Sequence, residues 1–396
     1  MKKYIYKISA FISAAIFLFY AAGCAEDITP TLTEYSPPSL PTPVITSINP
    51  PTEALAGVTK IIISGSNFSS TLRNNLVYFN GVPGTVISAT PTQLELTSPV
   101  VISDSVSIKI AIIGSDQFSN VISYKLKAAV AEFYAFNPKI FEVPYAITLD
   151  NLENMFVSLK DLGIKKISNQ GVMTSFAPKG PETFFRSITL ASDNVIYAVR
   201  GGIKGVYKVA ENTAPSAFVA SAQGITDNVN SINFDESRNV LWAGGNTGII
   251  YRITLAKNVK KFNVSGTINA VRVAGNNLFV AATTDKEVIW KIPIVSADSL
   301  GTPELYFDFS TQINNLLKII DLVIAQDGDL CIGTDKTTDP VYIIHPDKSS
   351  EVLYPGLINS AAYSLVWGNG NFMYMTNIVN GTNTTVLKID MQKLGL

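Results

Sequence analysis

The sequence is poor in the residues that many enzymes use for chemistry. Its 396 residues include one histidine, His345, and two cysteines. A single histidine cannot form a cluster of ligands or bases, and two cysteines cannot build the disulfide framework of a small secreted domain. Charged residues make up 15% of the chain, whereas a typical protein has about a quarter. These shortages disfavour catalysis that depends on histidine clusters.

The balance of charge excludes a second class of function. The chain has 30 basic and 31 acidic residues, a formal net charge of −1 at pH 7. A protein that binds nucleic acid through the phosphates needs a surplus of lysine and arginine, so no nucleic-acid partner is expected. The length predicts two or three domains.

The N-terminus has the pattern of a secretory signal. Three lysines accompany an almost wholly apolar stretch at residues 8–20, which is too short to span a membrane stably. The stretch ends in Ala21-Ala22-Gly23-Cys24, which resembles the lipobox of bacterial lipoproteins. The resemblance implies that residues 1–23 are a cleaved signal peptide and that Cys24 carries the lipid.

The lipoprotein resemblance also predicts a location. Ala25 stands where an aspartate often retains lipoproteins at the inner membrane, and Glu26-Asp27 resembles the acidic export signal of some surface-exposed lipoproteins. We therefore expect a lipid-anchored protein of the outer membrane that faces the cell exterior. Loss of the three signal lysines leaves 27 basic against 31 acidic residues, a net charge of −4, and lipidation leaves Cys331 as the only thiol.

Residues 24–42 are predicted to be a tether. They contain four prolines among serine and threonine residues and few large apolar side chains. Such a composition favours an extended chain and cannot bury a core. The tether would hold the folded part of the protein away from the lipid.

Residues 43–126 are predicted to form a small antiparallel β-sandwich. Short β-rich runs alternate with turns rich in Gly, Pro, Asn and Asp. The motifs Pro43–Pro50, Ile63–Phe68 and Val77–Gly81 resemble the immunoglobulin-like IPT/TIG family. The resemblance implies an immunoglobulin-like domain that serves as a spacer.

From Pro144 onwards the sequence repeats one pattern six times. Each unit has an apolar triplet, a polar turn and further apolar strands. The triplets recur at intervals of 39 to 51 residues and are Ile147-Thr148-Leu149, Ile188-Thr189-Leu190, Ile232-Asn233-Phe234, Val271-Arg272-Val273, Leu322-Val323-Ile324 and Leu365-Val366-Trp367. Six units of about four strands each predict a six-bladed β-propeller over residues 127–396.

The ring of blades is expected to close through a strand from the start of this domain. After Ile389 only seven residues remain, which are too few for a turn and the outer strand of the last blade. Residues 129–136 are strand-like and precede the first blade. We expect them to pair with the last blade, so that no sheet edge stays exposed.

Two columns of residues precede the six triplets and converge on the axis of the ring, where propellers bind ligands. The column directly before the triplets is Ala146, Ser187, Ser231, Ala270, Asp321 and Ser364. Small residues suit a crowded axis, and Asp321 is the exception. The column one residue earlier is Tyr145, Arg186, Asn230, Asn269, Ile320 and Tyr363.

These columns predict a ligand site at the mouth of the ring, which we call the funnel. Aromatic rings stack on sugar faces, and amide and guanidinium groups form directed hydrogen bonds. The alternative interpretation is that these side chains only satisfy loop carbonyls at the start of each inner strand. The predicted funnel residues are Tyr145, Arg186, Asn230, Asn269, Asp321 and Tyr363.

Other residues of chemical interest are predicted to be structural. His345 falls in a turn between outer strands, and Cys331 lies in an apolar strand. Trp242 and Trp290 stand where large residues recur in the other blades, and Trp367 lies on the last inner strand, so packing is the favoured role for all three.

The repeat resembles NHL-type and gluconolactonase-like propellers over most of residues 144–396. Gluconolactonase-like propellers use carboxylates and amides around a central divalent ion. Here only Asp321 offers a carboxylate beside a triplet, with Asn230 and Asn269 as candidate partners. Because this departs from a full ligand set, no metal or cofactor is predicted.

The sequence therefore predicts a non-catalytic, surface-exposed lipoprotein that binds a glycan as part of a polysaccharide-uptake system. Its partners would be the glycan, outer-membrane transport or envelope proteins, and the membrane through the lipid anchor. Two alternatives stay open. One is a metal-dependent, lactonase-like hydrolase centred on Asp321, and the other is a protein-interaction or structural module of the cell envelope.

Overall fold

A computed structural model describes residues 39–140, 142–379 and 383–396. The predicted signal peptide, the predicted lipidation site Cys24 and most of the predicted tether lie outside the described residues. The chain divides into two compact units, and nearly all of the regular structure is β. Across the described ranges, no helix has the length and apolar character needed to cross a membrane.

The N-terminal part is a β-sandwich of nine strands. They are β1 (Val44–Asn49), β2 (Glu53–Leu55), β3 (Lys60–Ser66), β4 (Asn75–Phe79), β5 (Val82–Pro83), β6 (Thr85–Thr90), β7 (Gln93–Thr97), β8 (Ser103–Ile112) and β9 (Ile122–Lys127). One sheet has the order β1-β3-β7-β6 and the other β2-β9-β8-β4-β5. A short 3-10 helix, Leu72–Asn74, precedes β4.

The strands of the sandwich follow from alternation in the sequence. Along β8, Val106, Ile108, Ile110 and Ile112 are buried while the residues between them are more exposed. This period of two is that of a strand with one face on a core. The all-β prediction is confirmed for this part of the chain.

Gly65 shows why one motif of the sandwich needs a glycine. A Cβ atom at this position would lie 1.9 Å from the carbonyl oxygen of Val44 and 2.5 Å from the ring of Phe68. The missing side chain therefore lets β1 and β3 pair while Phe68, which is 5% exposed, fills the core beside them.

The second part is a propeller of six antiparallel sheets. Blade 1 comprises β11 (Pro144–Leu149), β12 (Met155–Leu159), β13 (Gly163–Ile167) and β14 (Met173–Ala177); blade 2, β15 (Ser187–Leu190), β16 (Ile196–Val199), β17 (Gly205–Val209) and β18 (Ser216–Ala220); blade 3, β19 (Val229–Asp235), β20 (Val240–Gly245), β21 (Ile249–Thr254) and β22 (Val259–Asn263). In each blade the strands are paired in chain order.

The remaining blades follow the same plan with two variations. Blade 4 comprises β23 (Thr267–Ala274), β24 (Asn277–Thr283), β25 (Glu287–Ser296), the short β26 (Ser299–Leu300) and β27 (Glu304–Asp308); blade 5, β28 (Ile319–Ile324), β29 (Leu330–Thr334), β30 (Val341–Ile344) and β31 (Ser350–Val352); blade 6, β32 (Ala362–Trp367), β33 (Phe372–Val379), β34 (Asn383–Asp390) and, from before blade 1, β10 (Val130–Phe136). The short helix α1 (Phe309–Gln312) joins blades 4 and 5, and 3-10 turns lie at Pro138–Ile140 and Ser221–Gln223.

Closure of the ring is confirmed. Strand β10 pairs antiparallel with β34, with Tyr134 opposite Val386. Each inner strand (β11, β15, β19, β23, β28 and β32) contacts the next, and the last contacts the first. The last blade therefore combines one strand from the start of the domain with three strands from its end, and this closes the ring.

Packing on both faces explains why the second strands of the blades read as continuous apolar runs. All residues of β16 and all residues of β20 are buried, because each blade is covered by a neighbour on either side. Trp242 on β20 is fully buried and its Nε1 donates to Asp235. Cys331 on β29 is a buried, free thiol, as the sequence predicts.

Candidate functional site

The inner strands bring most of the predicted funnel residues to one place. A small pocket on the axis, the funnel pocket, is lined by Arg186, Ser187, Asn230, Ser231, Asn269, Ile320, Asp321 and Tyr363. Of the predicted funnel residues, Tyr145 is not part of this lining. Its half-buried ring instead stacks on Phe184, with the ring centroids 4.2 Å apart and the planes at 23°.

The floor of the funnel pocket is narrow. The free space at its centre is about that of one water molecule. Six inner strands meeting at the axis leave little room between their side chains. A ligand larger than water must therefore lie in the mouth of the funnel, where Tyr363 is 41% exposed.

Two asparagines of the pocket have amide groups of fixed orientation. The Nδ2 of Asn230 donates to the carbonyl oxygen of Ile268 at 3.1 Å and also to Asn246 Oδ1. A carbonyl oxygen only accepts, so the group that faces Ile268 is the NH₂. Within the described chain no group donates a hydrogen bond to the amide oxygen of Asn230 or of Asn269. Neither oxygen is completely buried. Both oxygens therefore keep some contact with solvent, although Asn230 as a whole is only 4% exposed.

The orientation of Asn269 is set by Glu287. Asn269 Nδ2 donates to Thr283 Oγ1 at 2.8 Å and approaches Glu287 Oε2 at 3.4 Å. The Thr283 hydroxyl gives its own proton to Glu287 Oε1 at 2.6 Å, so it can only accept from Asn269. This chain leaves the Oδ1 of Asn269 as the group available to a ligand.

Arg186 provides the charge at the funnel pocket. Its side chain is solvent-exposed and forms no hydrogen bond or ion pair with a described residue. Partial loss of hydration between the funnel walls lowers the pKa of the guanidinium, and the charge of Asp321 opposes that effect. Arginine stays protonated in proteins, so Arg186 is a cation without a close counterion. Gly201 makes room for it, because a Cβ there would lie 3.3 Å from Arg186 Cδ.

Asp321 is held by the protein itself. Its Oδ1 accepts from the Arg272 guanidinium at 2.6 Å and from the Leu322 amide at 2.9 Å, and its Oδ2 accepts from the Leu365 amide at 2.9 Å. Burial raises the pKa of Asp321, against the opposing effects of Arg272, the two amides and Arg186. With both oxygens engaged, this carboxylate is part of the propeller framework.

The small residues beside Asp321 have a second role besides packing. The serines of this column accept a hydrogen bond from the first triplet residue of a neighbouring inner strand, whose amide has no ladder partner at the axis. The bonds run from Ile232 N to Ser187 Oγ at 3.2 Å, from Val271 N to Ser231 Oγ at 3.1 Å and from Ile147 N to Ser364 Oγ at 3.3 Å. Asp321 makes the equivalent bond to Leu365 N. These bonds fasten one blade to the next.

A second cavity lies at the other end of the axis. It is lined by residues of the triplets and by Leu396, and it includes Arg272 but not Asp321. Since Asp321 lines the funnel pocket and Arg272 the opposite cavity, their ion pair lies between the two spaces. Among the described residues, no group of three or more His, Cys, Asp or Glu side chains is placed to hold a metal ion.

Arg272 and Glu287 are the site residues that sequence reasoning missed. The sequence does contain an indication of the role of Arg272. It is the only charged residue in the six triplets, and Asp321 is the only charged residue in the column of small residues. Two opposite exceptions in adjacent units suggest a pair. Glu287 carried no such signal, since it lies at the start of a third strand, away from both columns.

Comparison with known proteins supports the two parts of the fold. The family model of the IPT/TIG domain matches residues 43–126, which confirms that resemblance. No curated protein sequence matches the chain.

Three solved structures from Bacteroides thetaiotaomicron are similar to this chain. One, described as an auxiliary nutrient binding protein, has a TM-score of 0.53 and 12% identity, covering 88% of this chain and 97% of the other. Another, named as a candidate phosphatase, has a TM-score of 0.59 and 13% identity with the same coverage. A third, of unknown function, has a TM-score of 0.51 and 14% identity, covering 88% and 98%. At these identities the likeness concerns the fold alone.

Proposed function

We propose that this chain is a non-catalytic binding protein whose funnel takes a glycan. The observation that carries the proposal is the polar lining of the funnel mouth. It combines an unpaired guanidinium, two amide oxygens of fixed orientation and the partly exposed ring of Tyr363. Amide and guanidinium groups suit the hydroxyls of a sugar, and an aromatic ring suits its apolar face.

Binding is favoured over catalysis because the groups at the funnel are poor proton carriers at neutral pH. Asp321 is tied to Arg272 and two backbone amides. The other polar side chains of the lining are amides, hydroxyls, a phenol and a guanidinium. His345 lies between β30 and β31, where its Nδ1 is 2.9 Å from Asp329, and it does not line the funnel pocket.

The neighbour described as an auxiliary nutrient binding protein supports a binding role. We further propose that the protein is lipidated at Cys24, faces the exterior of the outer membrane and works with transport or envelope proteins there. The support for this location is the N-terminal sequence alone. Labelling with a radioactive fatty acid tests it, because a Cys24→Ala variant should lose the label and the membrane association.

Affinity electrophoresis in gels that contain polysaccharide tests the binding function. The protein from residue 25 onwards should be retarded by at least one polysaccharide, and the Arg186→Ala, Tyr363→Ala double variant should migrate freely. The variant should keep its melting temperature, because Arg186 has no bonded partner and Tyr363 is exposed. An Arg73→Ala variant, which removes an exposed arginine of the sandwich, is the control. Full retention of binding by the double variant would contradict the proposal.

A further inference from the structure

The charges around the funnel pocket are unequally satisfied. Asp321 has Arg272 and backbone amides as partners. Glu287, 4% exposed, accepts from Thr283 and from the backbone amide of Ile319 at 3.1 Å. Arg186 has no bonded partner among the described residues. The pocket thus presents one open positive charge, while the nearby carboxylates are already engaged.

The hydrogen-bonding groups open to a ligand are of complementary kinds. Asn230 and Asn269 present acceptors, because both NH₂ groups are bound to the protein. Arg186 presents donors in a planar fork, which matches the two oxygens of a carboxylate. A ligand that satisfies all three must supply hydroxyl donors and an anionic acceptor close together.

We propose that the ligand is an acidic saccharide, whose carboxylate binds Arg186 and whose neighbouring hydroxyls donate to Asn230 and Asn269. This inference rests on the proposed glycan-binding function and narrows it to uronate-containing polymers. A neutral sugar also offers oxygen acceptors to Arg186, but a carboxylate adds the attraction between two opposite charges and a second oxygen for a bidentate pair. The narrow floor keeps the ligand in the mouth of the funnel, beside Tyr363.

Matched polysaccharides test the charge requirement. The probes are polygalacturonate, alginate and hyaluronan, each compared with its carboxyl-reduced form, which keeps the linkages and removes the charge. The chain from residue 25 onwards should bind at least one acidic polymer, with an affinity about tenfold or more above that of the reduced form. The affinity should also fall as salt rises from 50 to 500 mM, because salt screens exposed charges.

Two arginine variants assign the effect to the funnel. Arg186→Gln keeps hydrogen-bond donors but loses the charge, and we expect about a tenfold loss of affinity for the acidic polymer. Arg73→Gln changes the net charge equally in the sandwich, where Arg73 is exposed, and should bind within about twofold of the wild-type protein.

The outcomes separate the two proposals. Equal binding of acidic and reduced polymers, or binding of neutral polysaccharides such as starch or xylan alone, would overturn the acidic-ligand inference and leave the glycan function standing. Equal losses in both arginine variants would also overturn it. Binding of none of the acidic or neutral polysaccharides would overturn both.

Discussion

Arg272 on β23 and Asp321 on β28 form an ion pair, 2.6 Å from Nη2 to Oδ1, that joins blades 4 and 5 at the axis of the propeller. The same carboxylate accepts the amide of Leu365 in blade 6, so one side chain connects three blades. Ala270, the residue of the same column in blade 4, explains why an aspartate stands at position 321. Alanine has no group to accept the amide of Leu322, and Asp321 accepts it instead.

Removing the arginine should destabilise the propeller strongly. In an Arg272→Met variant the Asp321 charge stays buried without its counterion, and the loss of unfolding free energy should be about 3–5 kcal/mol. Denaturant titration measures it. The Arg272→Met, Asp321→Asn double variant should recover part of the loss, because the charge is gone and the amide oxygen still accepts from Leu365, while the Leu322 amide loses its acceptor. No recovery would show that the charge is not the cause.

The same variant should respond to pH. Burial already raises the pKa of Asp321 above its ordinary value, and loss of Arg272 removes the strongest opposing effect. A carboxyl with a raised pKa in the folded state destabilises the fold most at pH above that pKa, and the penalty shrinks as the pH falls from that pKa to the ordinary value of the unfolded chain. The stability deficit of Arg272→Met relative to the wild-type protein should therefore shrink as the pH is lowered from 7.5 towards the ordinary pKa of an aspartate, about 4. A constant deficit would contradict this.

The serine bonds between blades should have a measurable effect. Ser231→Ala removes the acceptor for the buried amide of Val271, and the loss should be about 1–3 kcal/mol. The exposed Ser192 provides a control, since Ser192→Ala should change stability by less than about 0.5 kcal/mol. Equal stability of the two variants in urea titration would show that the serines directly before the triplets contribute only packing.

Closure by β10 should control the melting of the whole propeller. Proline cannot donate a ladder hydrogen bond, so Tyr134→Pro should break the pairing with β34 and lower the melting temperature of the complete ring. Tyr134→Phe keeps the ring and the backbone amide and serves as the control. An unchanged melting temperature for the proline variant would show that the pairing of β10 with β34 does not stabilise the propeller.

In the sandwich, Gly65 and Gly81 make a contrasting pair. Gly65→Ala should cost about 3 kcal/mol or more, because the added methyl meets the backbone of Val44 at 1.9 Å. Gly81 has φ of +86° and open space around it, so Gly81→Ala should cost only about 1 kcal/mol of backbone strain. Hydrogen exchange of the backbone amides of β1 and β3 in the two variants measures the difference in stability. Similar exchange rates would show that the added methyl at position 65 does not weaken the pairing of β1 with β3.

Much of the architecture was readable from the sequence, because strands and blades are local and repetitive. The period-two alternation of β8, the six apolar triplets and the strand at residues 129–136 each have one arrangement that buries their apolar faces. The spacing of the triplets places the same position of every unit at the axis. For this reason the sequence alone predicted that five residues would lie together at the funnel: Arg186, Asn230, Asn269, Asp321 and Tyr363.

The sequence by itself determined that this chain has an immunoglobulin-like domain and a six-bladed propeller, and which positions meet at the axis. Only the tertiary structure decided what those side chains do there. Whether Asp321 is free or paired, which end of each asparagine faces a ligand and how wide the floor is depend on contacts between blades. Such contacts join residues about 40 positions apart, and their geometry is set by the packing angle between sheets, which the pattern within one blade does not encode.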